Sequence, residues 1–455
     1  MWNRRRFLGF STGMAAIAVS PVAASASGDQ STQPRASIEA SDFGVFANAP
    51  VDQSSAFQAM LDEASDADMS VFLPAGSYVV GGIRLPARVR LVGVPGATRI
   101  LFNSENFLLS GQAGERIEFT GITFEGGRRS LSDSVRGLID LSGVPHVAVD
   151  NCVVTGSGKY GIVLAGCGGR IERTNVATAA EAAIWATDSS GLQITGNIVR
   201  DCDNGGILVH RSAIGEDGTI VSSNRVERIH AAHGGTGPFG NGINVFRAGN
   251  VIVASNVIAD CTFSAIRANS ASNIQITGNN CARSGETAIY AEFSFEGAVI
   301  SSNIVDGAAN GISIVNFNEG GRMAVCSGNL VRNLATSGPY PADPPGFGVG
   351  ITVEADTSVT GNVIESAPRY GMHIGWGPFM RNVVATGNVI RDVGEGIAVS
   401  VVEGTGTAVI SDNVIDKAAN GAIVGHRWTE AVTGDLASSG GSGFPNILVE
   451  RNQVS

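Results

Sequence analysis

The chain has 455 residues, 61 of them glycine, and a formal net charge of -11. That negative balance argues against nucleic acid or an anionic membrane as the main partner, since both are bound through excess positive charge. With only 6 % aromatics, and with Ile and Val abundant, the composition reads as many short strands joined by tight turns.

The chain opens MWNRRRFLGFSTGMAAIAVSPVAASASG. Arg4 and Arg5, one further residue, then Phe7 and Leu8 match the twin-arginine export pattern. An apolar run to Val19 and the small residues Ala24-Ser25-Ala26 complete a signal peptide, and cleavage is expected after Ala26. That removes three arginines and no acid, taking the charge to -14 (-11 minus 3). The apolar run is too short and too rich in Gly, Ser and Thr to span ~30 Å of hydrocarbon. Residues 1–26 are therefore a leader for the twin-arginine machinery, the mature protein is expected in the periplasm or outside the cell without a stable membrane span, and 27–41 reads as a flexible segment.

Residues 42–140 read as a cap followed by the first strands. An amphipathic helix places Phe57, Met60, Leu61 and Ala64 on one face, and "FLPAGSYVV" and "LVGVPG" follow. From 141 to 455 one phrase recurs, an asparagine between aliphatic residues, then a polar stretch, then Gly-Ile or a close variant. Its asparagines are Asn151, Asn175, Asn197, Asn224, Asn256, Asn279, Asn303, Asn329, Asn362, Asn388, Asn413 and Asn452. Most intervals fall near a solenoid period. Leucine-rich repeats share that period but need leucines at fixed offsets, and these repeats use Ile, Val and Gly. No repeat segment has a helical pattern. Three short strands per coil, each paired with its equivalent in the next, make a parallel β-helix; the stacked asparagines are expected to hydrogen-bond along its axis, at bends that tolerate left-handed angles. Cys202 and Cys261 then lie two coils apart, roughly 9.6 Å, too far for a disulfide, and all six cysteines are expected to be free.

The Asp-Phe-Gly opening, the helix and the Leu-Pro-Ala-Gly-x-Tyr phrase resemble the N-terminal region of the pectate-lyase-like β-helix superfamily. With the leader and the Asn-centred repeats, the chain is similar to the twin-arginine-translocated repeat proteins, a family of uncharacterised function. The resemblance implies an all-β fold: a single right-handed parallel β-helix with an N-terminal capping helix. It also implies a substrate groove along the Gly-Ile strand and its preceding loops. It is specific for fold and unspecific for reaction.

Residues one and three after the inward Ile face outward. One row reads Leu208, Asn244, Arg267, Tyr290, Ser313, Thr352 and His373; beside it run His210, Phe246, Asn269, Glu292, Val315, Glu354 and Gly375. The insertions at 230–240 and 334–348 flank this stretch and are expected to wall a groove. Arg267, Tyr290, Glu292, Glu354 and His373 are the candidate catalytic residues, with His210, Arg211, Asn244, Phe246, Arg247 and Asn269 as substrate-binding neighbours. Two chemistries compete. In β-elimination, Arg267 neutralises a uronate carboxylate while Tyr290 or His373 moves protons. In hydrolysis, Glu292 and Glu354, two coils apart, act as a carboxyl pair. Arg211, Arg247 and Arg267 suit an acidic polysaccharide, and a non-catalytic glycan-binding or envelope solenoid is the alternative. The Arg-x-Pro-x-x-Arg signature of pectate lyases is absent, as are the polygalacturonase signatures. No metal or cofactor is called for, with no calcium nonapeptide and no EF-hand loop in the sequence. The segment 427–444 is expected to cover the last coil with Trp428 as its anchor.

Overall fold

Alternation of inward and outward side chains along very short strands sets the architecture. In Ile274–Thr277 the two isoleucines are buried while Gln275 is exposed, and the strand pairs in parallel with its equivalents one coil before and one coil after. The computed structural model describes residues 37–455 apart from 105 and 442; the leader at 1–26 lies outside the described residues. Equivalent strands line up in a 16-stranded sheet and a 26-stranded sheet. The larger one carries two strand positions of each coil, merged where long strands such as Asn280–Glu292 and Val363–Ile374 run through a corner. The expected three-strand coil of a parallel β-helix is what the chain builds. Inside, side chains of one type stack from coil to coil: Ile266, Ile289, Ile312, Ile351, Met372 and Ile397 are in register and all buried.

The asparagine ladder runs unbroken from Asn197 to Asn452. Asn279 shows its pattern: its amide donates to Val253 O at 3.0 Å and to Asn303 Oδ1 at 3.0 Å, while its own Oδ1 accepts from the backbone and side chain of Asn256. Two expectations need correction. Asn151 and Asn175 are not rungs, because Thr174 occupies the slot before Asn197 and donates its backbone N–H to Asn197 Oδ1 at 3.0 Å, with Cys152 one coil earlier. The left-handed angle also belongs to the residue before each rung, such as Ser255 or Gly278, and not to the asparagine.

Both ends of the coil are covered. The helix Ser54–Asp66 buries Phe57, Met60, Leu61 and Ala64, the face read from sequence. Residues 37–41, assigned to a flexible segment, are instead ordered: Ser37–Glu39 pairs with Ser70–Leu73. At the other end the hairpin of Ile423–Arg427 and Glu430–Asp435 is antiparallel and leads into the short helix Leu436–Ser439. Its anchor is Leu436, buried, with Phe444 packed against the core, whereas Trp428 is 47 % exposed and meets Trp376 edge-on at 5.3 Å. All six cysteines are buried and free.

Candidate functional site

The outward rows run in the register read from sequence. Strand pairing links Leu208 to Asn244, then Arg267, Tyr290, Ser313, Thr352 and His373. Over the middle of this row the second insertion overhangs and encloses a cleft of about 210 Å³. Tyr290, Ser313, Thr352 and His373 form its floor, Tyr340, Asp343 and Phe347 its roof, and Glu354 and Trp376 close one end. Rings hold the roof in place: Tyr340 packs on Phe347 at 5.6 Å and on Phe263 at 6.3 Å.

Glu354 is the titratable group this cleft perturbs most usefully. It is 6 % exposed, and Phe317 N–H donates to its Oε2 at 2.7 Å from the turn at 316–320. Burial pushes the carboxyl up to about 7, against the Phe317 and Asn316 backbone donors that hold it down. A carboxyl that stays protonated near neutrality is a proton donor in waiting. His373 behaves oppositely: burial lowers it to about 3, so it is neutral, and its Nδ1 has no partner. Burial, followed by the charges of Glu286 and Glu292, lifts Tyr290 to about 12.

Arg267 is not the free cation that β-elimination requires. Its guanidinium makes a two-bond contact with Glu292, at 2.7 and 3.0 Å, bonds Glu286 at 3.3 Å, and lies over the Tyr290 ring at 4.9 Å. Burial works to lower its pKa, and the charges of Glu292 and Glu286 more than offset this. The same contacts occupy Glu292, which also accepts from Asn269 and does not line the cleft, so the proposed Glu292–Glu354 pair does not form. The carboxyl that shares the cleft with Glu354 is Asp343, on the overhanging loop.

The other expected binding residues lie outside the cleft. Asn244 is buried beneath the first insertion and donates to Gly237 O at 2.9 Å. His210 meets the Phe246 ring at 5.8 Å, and burial lowers it to about 4. Arg247 covers Phe246 at 4.7 Å and donates to Ser212 O, while Arg211 faces Asp217 at 3.8 Å. Among the described residues, no three His, Cys, Asp or Glu side chains converge as a metal site, and no helix is long and apolar enough to cross a membrane.

Glu286 is the residue the sequence reading missed. It is 1 % exposed. Thr236 of the first insertion donates to it at 2.9 Å, Tyr340 of the second insertion donates to the same carboxylate, and Ser264 and Arg267 approach from beneath. Two loops from different coils are thereby tied to one carboxylate; burial, and after it the bond to Glu286, holds the Tyr340 phenol well above its ordinary value. An acid in "RSGET", at the corner of the strand Asn280–Glu292 whose flanks carry aliphatic residues inward, was the available signal.

The description "right handed beta helix region" matches residues 137–316 and 215–380, together just over half the chain, and the chain belongs to that family. No curated protein sequence matches it. Among solved structures, the bacteriophage phi29 gene product 12 in its pre-mature form is 15 % identical, covering 86 % of this chain and 55 % of its own, at a TM-score of 0.51. The A-module of the Azotobacter vinelandii mannuronan C-5 epimerase AlgE4 is 15 % identical over 79 % of this chain and 96 % of its own, at 0.46. PfbA, a surface adhesin of Streptococcus pneumoniae, is 14 % identical over 86 % and 91 %, at 0.47. At such identities the likeness is one of fold.

Proposed function

We propose that this chain is an exported carbohydrate-active β-helix protein whose cleft holds a glycan segment and cleaves it by hydrolysis, with Glu354 as general acid. The observation that carries this reading is Glu354 itself, a carboxyl raised to about 7 at the end of a cleft open to ligand. Around it stand the partners a sugar needs: ring faces from Tyr290, Tyr340 and Trp376, and hydroxyls and amides from Ser313, Thr352 and Asn310. Such a mixture of apolar walls and a few convergent polar groups suits a small-molecule or oligosaccharide site. Glu354 donates its proton to the glycosidic oxygen as the bond from that oxygen to the anomeric carbon breaks. A water adds to the same carbon and gives its proton to Asp343.

An uncharged glycan suits the cleft better than the acidic one expected from sequence. The cleft is lined by two acids and by no lysine or arginine, and the nearest guanidinium, Arg267, stands between two carboxylates. Export by the twin-arginine route, and membership of the twin-arginine-translocated repeat proteins, belong to the proposal on the strength of the leader and repeats. The test is a panel of neutral and acidic polysaccharides, followed both by release of reducing ends and by the ultraviolet absorbance of an unsaturated product. Reducing ends from a neutral polymer support the reading. Unsaturated product from a uronate polymer sinks it, and binding without cleavage reassigns the cleft to glycan capture.

A further inference from the structure

A second surface, on another side of the solenoid, is built unlike the rest of the molecule. The outer face of the 16-stranded sheet is nearly free of charge across the coils from 193 to 387. The outward strand-centre position reads Gln193, Ile220, Ile252, Gln275, Val299 and Val325, then Ser358 and Val384, all in pairing register. The next outward position is hydroxyl or small throughout, from Thr195 to Thr386. On the other side of the strand centre the charges come as two ion pairs within the sheet, Glu296 with Arg322 and Asp356 with Arg381. The 26-stranded sheet differs: Asp201–Arg228, Asp260–Arg283 and Asp306–Arg332 repeat along it as exposed ion pairs. The face of the 16-stranded sheet is also apolar and open. Val299, Val325 and Val384 are each about two-fifths exposed, and Met323 is 48 % exposed. Met323 lines, together with Gly297, Val299 and Val325, a shallow recess of about 440 Å³.

We propose that this face is a self-association surface, on which a second copy of the chain packs about a two-fold axis. Four features select a second copy as the occupant. At a net charge of -11 two copies repel over most of their surface, whereas this face, with two acids each paired to an arginine, carries no net charge. Hydroxyls of its outer row bond one another along the solenoid axis, Ser301 to Thr277 at 3.3 Å and Thr386 with Ser411 at 3.4 Å, so burying these pairs leaves no polar group among them without a partner. Its size fits. Seven coil steps at ~4.8 Å and a width of about six residues at ~3.3 Å give on the order of 650 Å² per copy, within the range of specific interfaces at about 600–1,000 Å² per partner. Finally, a two-fold axis through the recess that Met323 lines sets the same patch of both copies face to face, as an isologous interface requires. Flat sheets pair in this way at ~10 Å.

Sedimentation equilibrium of the full chain, and of Val299→Lys/Val325→Lys, tests this. The wild type should show twice the monomer mass, and the double variant, altered only at outward positions and checked for an unchanged unfolding temperature, should return to one. Wild type that stays monomeric up to about 100 μM, well above the micromolar limit of interfaces this size, overturns the proposal. So does a double variant that dimerises as fully as wild type. A monomer that is depleted onto an insoluble polysaccharide, with depletion lost in the double variant, also overturns it and makes a glycan surface the occupant. None of these outcomes depends on activity at the Glu354 cleft.

Discussion

At the scale of single residues, the asparagine ladder and the buried titratable groups make the sharpest demands. Replacing Asn279 with Ala strips partners from the Asn256 amide and backbone and from Val253 O. The expected loss is about 1–3 kcal/mol per group left unsatisfied, read by thermal or denaturant unfolding, and a variant as stable as wild type would remove the ladder from the list of stabilising features. Glu354 and His373 give stability opposite pH dependences. Glu354 is raised from 4.5 to about 7, so its contribution is full below pH 4.5 and lost as pH rises through about 7, on the order of 3 kcal/mol. His373 is lowered from 6.5 to about 3, so its contribution is full above pH 6.5 and lost as pH falls towards 3. Glu354→Gln should therefore gain stability relative to wild type between pH 5 and 8, while His373→Gln should lose less than wild type between about pH 6.5 and 4. Denaturant titrations across pH that run parallel for wild type and variants would refute both assignments. The rungs from Asn197 onward were legible because repetition exposes them. Asn151 and Asn175 misled because Thr174 fills the slot with a hydroxyl that matching by residue identity passes over. The pairing of Arg267 was illegible for another reason: Glu286 belongs to neither outward row, and only the corner of the coil brings it beneath the guanidinium.

At the scale of elements, the insertions and the caps decide what the coil presents. Glu286 holds the two insertions at a single point, through Thr236 and Tyr340. Bonds to a charged acceptor contribute about 1.5–3 kcal/mol, so Glu286→Gln should speed amide hydrogen exchange across 334–348 by roughly tenfold or more, with the coil strands unaffected. Unchanged exchange there would mean that the aromatic packing of Tyr340, Phe347 and Phe263 holds the loop alone. The C-terminal cap rests on Leu436. Leu436→Ala should cost about 2–5 kcal/mol and promote association through the uncovered end, while Trp428→Ala, half exposed, should cost far less; the reverse order in unfolding experiments would restore Trp428 as the anchor. Sequence located the N-terminal helix to its buried face because amphipathic periodicity is local. It misplaced the C-terminal anchor because an aperiodic insertion carries no signal of which apolar residue turns inward.

At the scale of the whole molecule, the repeat makes the fold legible and leaves the chemistry hidden. From Asn197 onward successive coils restate the same rung and the same bend over an inward aliphatic stack, so period and composition lead directly to a parallel β-helix. The cleft owes its roof to a segment that occurs once, and its electrostatics to contacts between that segment and buried acids, which no repeat announces. Three of the five expected catalytic residues, Tyr290, Glu354 and His373, line the cleft; Arg267 and Glu292 are spent on each other. Of the two chemistries that competed in the sequence, that redistribution favours the proposed protonation of a glycosidic oxygen over neutralisation of a uronate.

The most direct test of that account compares reducing-end release by wild type and by Glu354→Gln on the polysaccharide that the panel identifies. Loss of a general acid should lower turnover by about 10²–10⁴-fold while the unfolding temperature at neutral pH stays level or rises and the glycan still binds. A Glu354→Gln protein that cleaves as fast as wild type, or a wild type that releases no reducing ends from any polymer it binds, would contradict it.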